Sequence, residues 1–214
     1  MSKYALRLYL GGTFNPIHNG HLHGAIQALE SCQAEQLFLL PNYLPPHKSA
    51  PNETAVQRQK LCELSLSIDH RLRLDDRELQ RSKACYTIET VQILHATYAN
   101  EAIGFVIGMD SLQQLATWHQ WQQLTDFCHL IVLQRGGYQL ELPAAVSEFV
   151  QQRLVQQVDE LKTQRQGRVF IVDSPLLEIS SSEIRARVKA GLNSTCLLPP
   201  AVNQYIIEHD LYST

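Results

Sequence analysis

The chain has 214 residues, of which 44% are hydrophobic, so it can form one large domain with its own core, and extended disorder is excluded. Its 18 basic and 21 acidic residues leave a net charge of −3, without the basic surface that nucleic acid requires or the polybasic segment that an anionic membrane attracts. No apolar run approaches the ~20 residues of a membrane span and no export signal opens the sequence, so we expect a cytoplasmic protein with neither nucleic-acid nor membrane partners.

Short β-rich runs alternate with amphipathic segments along the chain. Strands are predicted over residues 4–10, 36–40, 71–74, 103–107, 129–134 and 168–172, and helices near 20–32, 55–68, 88–99, 111–116, 144–165, 182–190 and 200–209. Several strands are apolar nearly throughout, which is typical of a parallel sheet covered on both faces. The alternation predicts an α/β fold in a single domain over 1–214. Its sheet would be doubly wound, Rossmann-like and mostly parallel, with helices on both faces and a helical C-terminal end.

The first candidate site segment, residues 11–21, joins the first strand to the first helix. Gly11 and Gly12 let backbone amides approach a ligand closely, and the free amides of a helix start attract anions. His18 and His21 can present both imidazoles on one side of that helix start. The segment therefore predicts a phosphate site, with a tight turn carrying solvated histidines as the alternative. Zinc bound with His23 is disfavoured, because no nearby carboxylate or cysteine completes the ligand set.

The second candidate segment, residues 179–185, follows the last predicted strand and opens a helix. Ser180 and Glu183 have the spacing of a capping box, and the hydroxyls of Ser180 and Ser182 can bind phosphate oxygens beside free amides. Arg185 adds a planar guanidinium that matches phosphate geometry. An ordinary helix cap with an exposed arginine is the alternative interpretation.

Both segments resemble the motifs of one family. The sequence GGTFNPIHNGHL at 11–22 resembles the first motif of the HxGH nucleotidyltransferases, and ISSSEIR at 179–185 resembles their Ile-Ser-x-x-x-x-Arg motif. More narrowly, the chain resembles the bacterial nicotinate-nucleotide adenylyltransferases, which join nicotinate mononucleotide to the AMP part of ATP. The residues that the resemblance assigns to ATP binding are Gly11, Gly12, Thr13, Phe14, Gly108, Asp110, Ile179, Ser180 and Ser182.

The resemblance also implies the catalytic roles. His18 and His21 would act at the α-phosphate, and Arg185 and Lys48 would lie along the β- and γ-phosphates, with Mg²⁺ carried in by ATP. Lys48 follows a rigid Pro-Pro-His sequence, for which an ordinary stiff loop is the alternative. Asp110, after the fourth strand, would accept from ribose hydroxyls, and its alternative role is to cap the next helix.

The acceptor, nicotinate mononucleotide, is predicted to bind the segments between the two motifs. Tyr86 and Thr87 start a helix, with Thr87 as the expected cap, and backbone amides there could receive the nicotinate carboxylate. The resemblance implies that Trp118 stacks on the pyridine ring. Arg135 would add a phosphate contact, although Gly136 stands where the family usually has proline.

Three other interpretations stay open at this level. The same first motif would serve an adenylyl or cytidylyl transferase with another acceptor, such as phosphopantetheine. A nucleotide-binding domain without turnover would keep the phosphate site, and a metal-dependent hydrolase would use His18, His21 and His23. The sequence also leaves open whether the chain forms a homo-oligomer.

Overall fold

The computed structural model describes residues 4–43, 53–81, 85–135, 141–175 and 177–213. Its centre is a seven-stranded sheet in the order β3-β2-β1-β4-β5-β7-β6, with every neighbouring pair parallel. The strands are β1 (Ala5–Gly12), β2 (Gln36–Pro41), β3 (Leu72–Leu74), β4 (Glu101–Gly108), β5 (His129–Arg135), β6 (Leu154–Val155) and β7 (Val169–Ser174).

Helices of two kinds connect these strands. The α-helices are α1 (Asn19–Ser31), α2 (Ala55–Ser65), α3 (Thr87–Thr97), α4 (Met109–Gln113), α5 (Ala144–Gln151), α6 (Ser181–Lys189) and α7 (Pro200–Glu208). Short 3₁₀ helices cover Leu66–Ile68, Leu115–Thr117, Trp121–Asp126 and Val158–Lys162. None of the helices in the described ranges combines the length and the apolar character that crossing a membrane requires.

Hydrophobic cores lie on both faces of the sheet, as the sequence predicts. Successive side chains of a strand point to opposite faces, so Leu8 and Tyr9 of β1 belong to different buried clusters. Leu29 of α1 packs in the cluster with Leu8, and Val91 of α3 packs in the cluster with Tyr9. The doubly wound, Rossmann-like fold is therefore confirmed.

The strand order reverses direction at β1. The chain runs outward from β1 through β2 to β3, and then returns to place β4 on the other side of β1. Leu10 of β1 pairs with Val106 of β4, so the carboxyl ends of these two strands lie side by side. Ligands of open α/β sheets bind at such a switch point, and both glycine-containing predicted segments, at 11–12 and at 108, begin there.

The predicted helix over 144–165 is wrong beyond Gln151. The chain leaves α5 and forms the two-residue strand β6, in which Leu154 and Val155 pair with Val169 and Phe170 of β7. A buried edge pairing of only two residues overrides the helical preference of the glutamine-rich sequence around it. The predicted helix near 111–116 likewise begins earlier, because α4 starts at Met109 directly after β4.

A buried histidine lies between β5 and the segment before β7. The ring of His129 is fully buried, and its Nδ1 accepts a hydrogen bond from the Arg168 amide at 3.1 Å. Its Nε2 lies 3.1 Å from the carbonyl oxygen of Gln164, to which it donates when the ring is neutral. Burial lowers the pKa of His129 to about 4, so the ring stays neutral near pH 7.

Candidate active site

A cleft of about 1280 Å³ opens at the carboxyl ends of β1 and β4. Both candidate segments line it, together with the start of α3, the start of α4 and the segment around Trp118. The predicted site residues that line it are Gly11, Gly12, Thr13, Phe14, His18, His21, Tyr86, Thr87, Gly108, Asp110, Trp118, Ile179, Ser180, Ser182 and Arg185. Lys48 lies outside the described residues, and of Arg135 the structure describes only the backbone, at the end of β5.

His18 precedes α1 and caps its first turn. Its Nδ1 accepts a hydrogen bond from the backbone amide of His21 at 3.3 Å, so a neutral ring must carry its proton on Nε2. His18 is only 4% exposed, and burial lowers its pKa to about 4. At neutral pH this side chain therefore offers the cleft an N–H donor without a net charge.

His21 stacks on His18, with 3.6 Å between the ring centroids. Burial, and then the neighbouring His18, lower the pKa of His21 well below its ordinary value. The edge of Phe14 packs on the other side of the His21 ring, with the centroids 5.2 Å apart. The pair thus forms a stack of two imidazoles that are neutral near pH 7.

Gly20 lies where the two candidate segments meet. A Cβ atom at this position would lie 3.0 Å from Nδ1 of His18 and 3.4 Å from Cβ of Ile179. The distance to His18 is shorter than an ordinary van der Waals contact, so a larger residue would displace the His18 ring, whereas the distance to Ile179 is an ordinary contact. The glycine of the first motif therefore leaves room for the His18 ring.

Hydrogen bonds join the segments directly. Arg185 Nη1 donates to the backbone carbonyl of Asn15 at 2.7 Å, and Ser181 Oγ donates to the carbonyl of Pro16 at 2.9 Å. Ser180 caps α6 as predicted, because its Oγ accepts from the amide of Glu183 at 3.2 Å. Residues more than 160 positions apart in the sequence thus form one wall of the cleft.

Asp110 lies in the first turn of α4, whose cap residue is Gly108. The alternative interpretation of Asp110 as the helix cap is therefore wrong. Its carboxylate folds back over the preceding strand end, and a Cβ atom on Gly108 would lie 2.5 Å from Asp110 Oδ1. Because Gly108 has no side chain, the Asp110 carboxylate fits at the edge of the cleft. There it can accept hydrogen bonds from hydroxyl groups of a ligand.

The start of α3 forms another part of the cleft. Tyr86, not Thr87, is the cap residue, because its backbone is extended whereas Thr87 already belongs to the helix. The Glu89 amide bonds to the Tyr86 carbonyl at 3.0 Å, so the amides of Thr87 and Ile88 precede the helical ladder and suit an anion. The Tyr86 ring packs against His119 with 4.6 Å between centroids, next to Trp118 in the sequence.

Trp121 and His23 contact other residues of the protein. The ring of Trp121 packs on Phe149 at 5.1 Å, and Trp118, not Trp121, lines the cleft. His23 Nε2 contacts the carbonyl oxygen of Pro175 at 2.7 Å. Within the described ranges, no group of three or more His, Cys, Asp or Glu side chains could hold a metal ion.

Sequence reasoning missed two residues that line the cleft, Glu78 and Tyr212, and one that lies behind it, Arg58. Arg58 of α2 is only 1% exposed and donates to backbone carbonyls of the loops after β1 and β2. Glu78 is buried in the cleft wall, accepts from the Thr90 hydroxyl, and has its pKa raised by burial to about 7. Tyr212 reaches the cleft from beyond α7. None belongs to a local motif, and only a pattern of contacts between distant segments could have revealed them.

The fold, with both motifs at the switch point of a parallel sheet, defines a nucleotidyltransferase of the α/β class. The cytidylyltransferase-like family matches residues 9–187. A relative from Pectobacterium atrosepticum is 41% identical, over 97% of this chain and 99% of its own length. One from Aeromonas hydrophila is 39% identical over 95% of both chains. Each carries the name "probable nicotinate-nucleotide adenylyltransferase".

Solved structures have the same architecture. Nicotinic acid mononucleotide adenylyltransferase of Plasmodium falciparum, complexed with APC, superimposes with a TM-score of 0.75 over 98% of both chains. Its complex with NaAD gives 0.74 over the same shares. At 16% and 17% identity these similarities concern the fold alone. On the strength of the sequence matches, the chain belongs to the cytidylyltransferase-like family and, within it, to the nicotinate-nucleotide adenylyltransferases.

Proposed function

We propose that this protein transfers the AMP moiety of ATP to nicotinate mononucleotide, giving nicotinate adenine dinucleotide and pyrophosphate in NAD biosynthesis. The observation that carries the proposal is the convergence of the two motifs. Ile179 lies against Gly20, and Arg185 donates to Asn15, so imidazole and guanidinium groups share one cleft. That cleft also contains an anion-accepting helix start for the acceptor.

The reaction needs no nucleophile from the protein. The phosphate of nicotinate mononucleotide is anionic at neutral pH and attacks the α-phosphorus of ATP in line, expelling pyrophosphate. Catalysis is then positioning together with stabilisation of the charge on the transferring phosphoryl group. A neutral His18 with its proton on Nε2, and His21 beside it, suit donation to α-phosphate oxygens without a proton leaving the enzyme.

The β- and γ-phosphates of ATP are best bound by side chains with a permanent positive charge. Arg185 lies in the second turn of α6, lines the same cleft as Ser180 and Ser182, and suits the β- and γ-phosphates. Lys48 keeps its predicted role at the same end. Mg²⁺ enters as part of the ATP substrate, since a hydrated ion held by phosphate oxygens needs no cage of protein carboxylates. Asp110 binds the adenosine ribose, and the amides of Gly11, Gly12, Thr13 and Phe14 approach the phosphates.

The acceptor binds at the start of α3. The amides of Thr87 and Ile88 receive the nicotinate carboxylate, while Tyr86 and Trp118 enclose the pyridine ring, and Arg135 stays a prediction for its phosphate. A carboxylate at a helix N-terminus is favoured over a neutral amide, so nicotinate mononucleotide is the preferred acceptor. The cytoplasmic location and the lack of nucleic-acid partners also stay predictions.

An acceptor competition tests this proposal. Pyrophosphate release and dinucleotide formation are measured with ATP and nicotinate mononucleotide, nicotinamide mononucleotide or phosphopantetheine. We expect kcat/KM for the nicotinate form to exceed that for the nicotinamide form by about tenfold or more. Turnover with phosphopantetheine alone would identify a different transferase. ATP binding without product from any acceptor would identify a nucleotide-binding domain without turnover.

A further inference from the structure

Tyr212 contacts the loop of the first motif from the opposite end of the chain. Its Oη donates to the side-chain oxygen of Asn15 at 2.8 Å, and the residue is only 7% exposed. Its φ is +65°, in the left-handed region that residues other than glycine rarely adopt. Such a backbone conformation persists only where the surroundings enforce it. The hydrogen bond to Asn15 places the hydroxyl of the ring on the loop.

The loop that Tyr212 contacts, residues 13–16, is held from several sides. Three further side chains donate to its backbone carbonyls. They are Arg58 to Thr13 at 2.8 Å, Arg185 to Asn15 at 2.7 Å and Ser181 to Pro16 at 2.9 Å. These donors fix the course of the backbone, whereas the Tyr212 bond fixes the amide side chain of Asn15. The loop also contains Phe14 at a φ of +47°, so its conformation depends on outside contacts.

The chemistry of this contact suits a permanent hydrogen bond. Burial, and then the nearby Glu53, raise the pKa of the Tyr212 phenol far above its ordinary value, although Arg185 and Arg58 act in the other direction. The hydroxyl therefore keeps its proton near neutral pH. The side-chain oxygen of Asn15 is an acceptor only, so the phenol must be the donor.

We propose that Tyr212 is a positioning residue for ATP, whose hydroxyl orients Asn15 and so keeps the loop at 13–16 in the conformation that receives the nucleotide phosphates. The inference rests on the proposed function, because ATP is the ligand that this loop would bind. The Tyr212 ring also packs in the core cluster that contains Leu8 and Leu29. If Tyr212 had only this structural role, the ring would be sufficient and the hydroxyl would not be needed. Removal of the hydroxyl without the ring separates the two roles.

The test compares Y212F with Y205F as a matched control. Tyr205 is a half-buried tyrosine of α7 whose ring stacks on His209, at 3.9 Å between centroids, and it lies outside the cleft. Dissociation constants for Mg²⁺-ATP and for nicotinate mononucleotide are measured by calorimetry on the whole chain. We expect Y212F to weaken ATP binding about 3- to 10-fold, with the acceptor constant unchanged and Y205F equal to wild type.

A double-mutant cycle with N15A identifies the route of the effect. If the hydroxyl acts through Asn15, then adding Y212F to N15A causes no further loss of ATP affinity. A loss that persists on the N15A background, or Y212F with wild-type ATP affinity, would overturn the role of Tyr212. Because binding is measured without turnover, wild-type protein that binds ATP and forms no dinucleotide would contradict the proposed function instead.

Discussion

Replacement of His18 by asparagine separates the two roles that its ring performs. Nδ1 caps α1 through the His21 amide, and Nε2 carries the proton that the proposed mechanism directs at the α-phosphate. Alanine removes both groups, so H18A should lose about 1 kcal/mol of unfolding free energy with the cap. It should also lose ~100–1000-fold in turnover with the donor. Asparagine is a good helix cap, so H18N should keep nearly all of the stability and still lose ~100–1000-fold in turnover.

The assay measures kcat at saturating ATP and nicotinate mononucleotide, with urea unfolding of the same preparations. The loss in turnover corresponds to ~2.7–4 kcal/mol of transition-state stabilisation, much more than the cap alone contributes. A variant H18N with turnover within tenfold of wild type would refute the role of Nε2. If H18N were as unstable as H18A, the stability that His18 contributes to the fold would not come from the helix cap.

Three further substitutions test the structure, and the first two of them test distances. In G20A the new Cβ would lie 3.0 Å from Nδ1 of His18, so we expect turnover to fall ~10–100-fold in steady-state assays while the protein stays folded. In G108A the Cβ would lie 2.5 Å from Asp110 Oδ1, and displacement of that carboxylate should raise the KM for ATP about tenfold, with KM for the acceptor as the control.

The third substitution, H129Q, concerns pH. The pKa of His129 is about 4 in the folded protein and 6.5 in the unfolded chain, so the unfolded state binds the proton at a higher pH. Up to about 3 kcal/mol of stability is therefore lost as the pH falls from 6.5 to 4. Urea midpoints against pH should be flatter in H129Q over that window, and an unchanged slope would contradict the buried neutral ring.

Local sequence patterns were sufficient to predict the strands that frame the cleft. The runs that form β1 and β4 are apolar because both faces of the sheet are covered, and glycines directly after them mark where a ligand can approach the backbone. The carboxyl ends of parallel strands share one edge, so the meeting of the first segment with Asp110 could also be predicted. The topology of a parallel sheet therefore predicts that these parts of the site lie together.

The remaining features depend on contacts between distant residues. Arg58 donates to Thr13 across 45 residues and Tyr212 to Asn15 across 197, and neither contact leaves a local pattern. A lone arginine on an amphipathic helix is ordinarily exposed, whereas Arg58 is buried because three backbone carbonyls accept its N–H groups. Strand β6 is too short to show a period of two, so its helix-like composition predicted the wrong element.

The lowered pKa values of the paired histidines also depend on packing. The spacing of His18 and His21 predicts that both rings face one side, but not that they stack at 3.6 Å and stay neutral. Burial against Phe14 and the α1 backbone decides the protonation state, and no residue type in the motif encodes it. The sequence therefore identifies the candidate donors, and the structure shows for His18 that Nε2 is the nitrogen that can donate.

The most direct test of adenylyl transfer follows a label on the α-phosphate of ATP into the products of the reaction. ATP labelled at the α-phosphate is incubated with Mg²⁺, nicotinate mononucleotide and a stoichiometric amount of the protein, and the products are separated and counted. We expect the label in nicotinate adenine dinucleotide, with one unlabelled pyrophosphate released for each dinucleotide formed. Label retained in ATP, released as free AMP or bound covalently to the protein would contradict direct adenylyl transfer in this cleft.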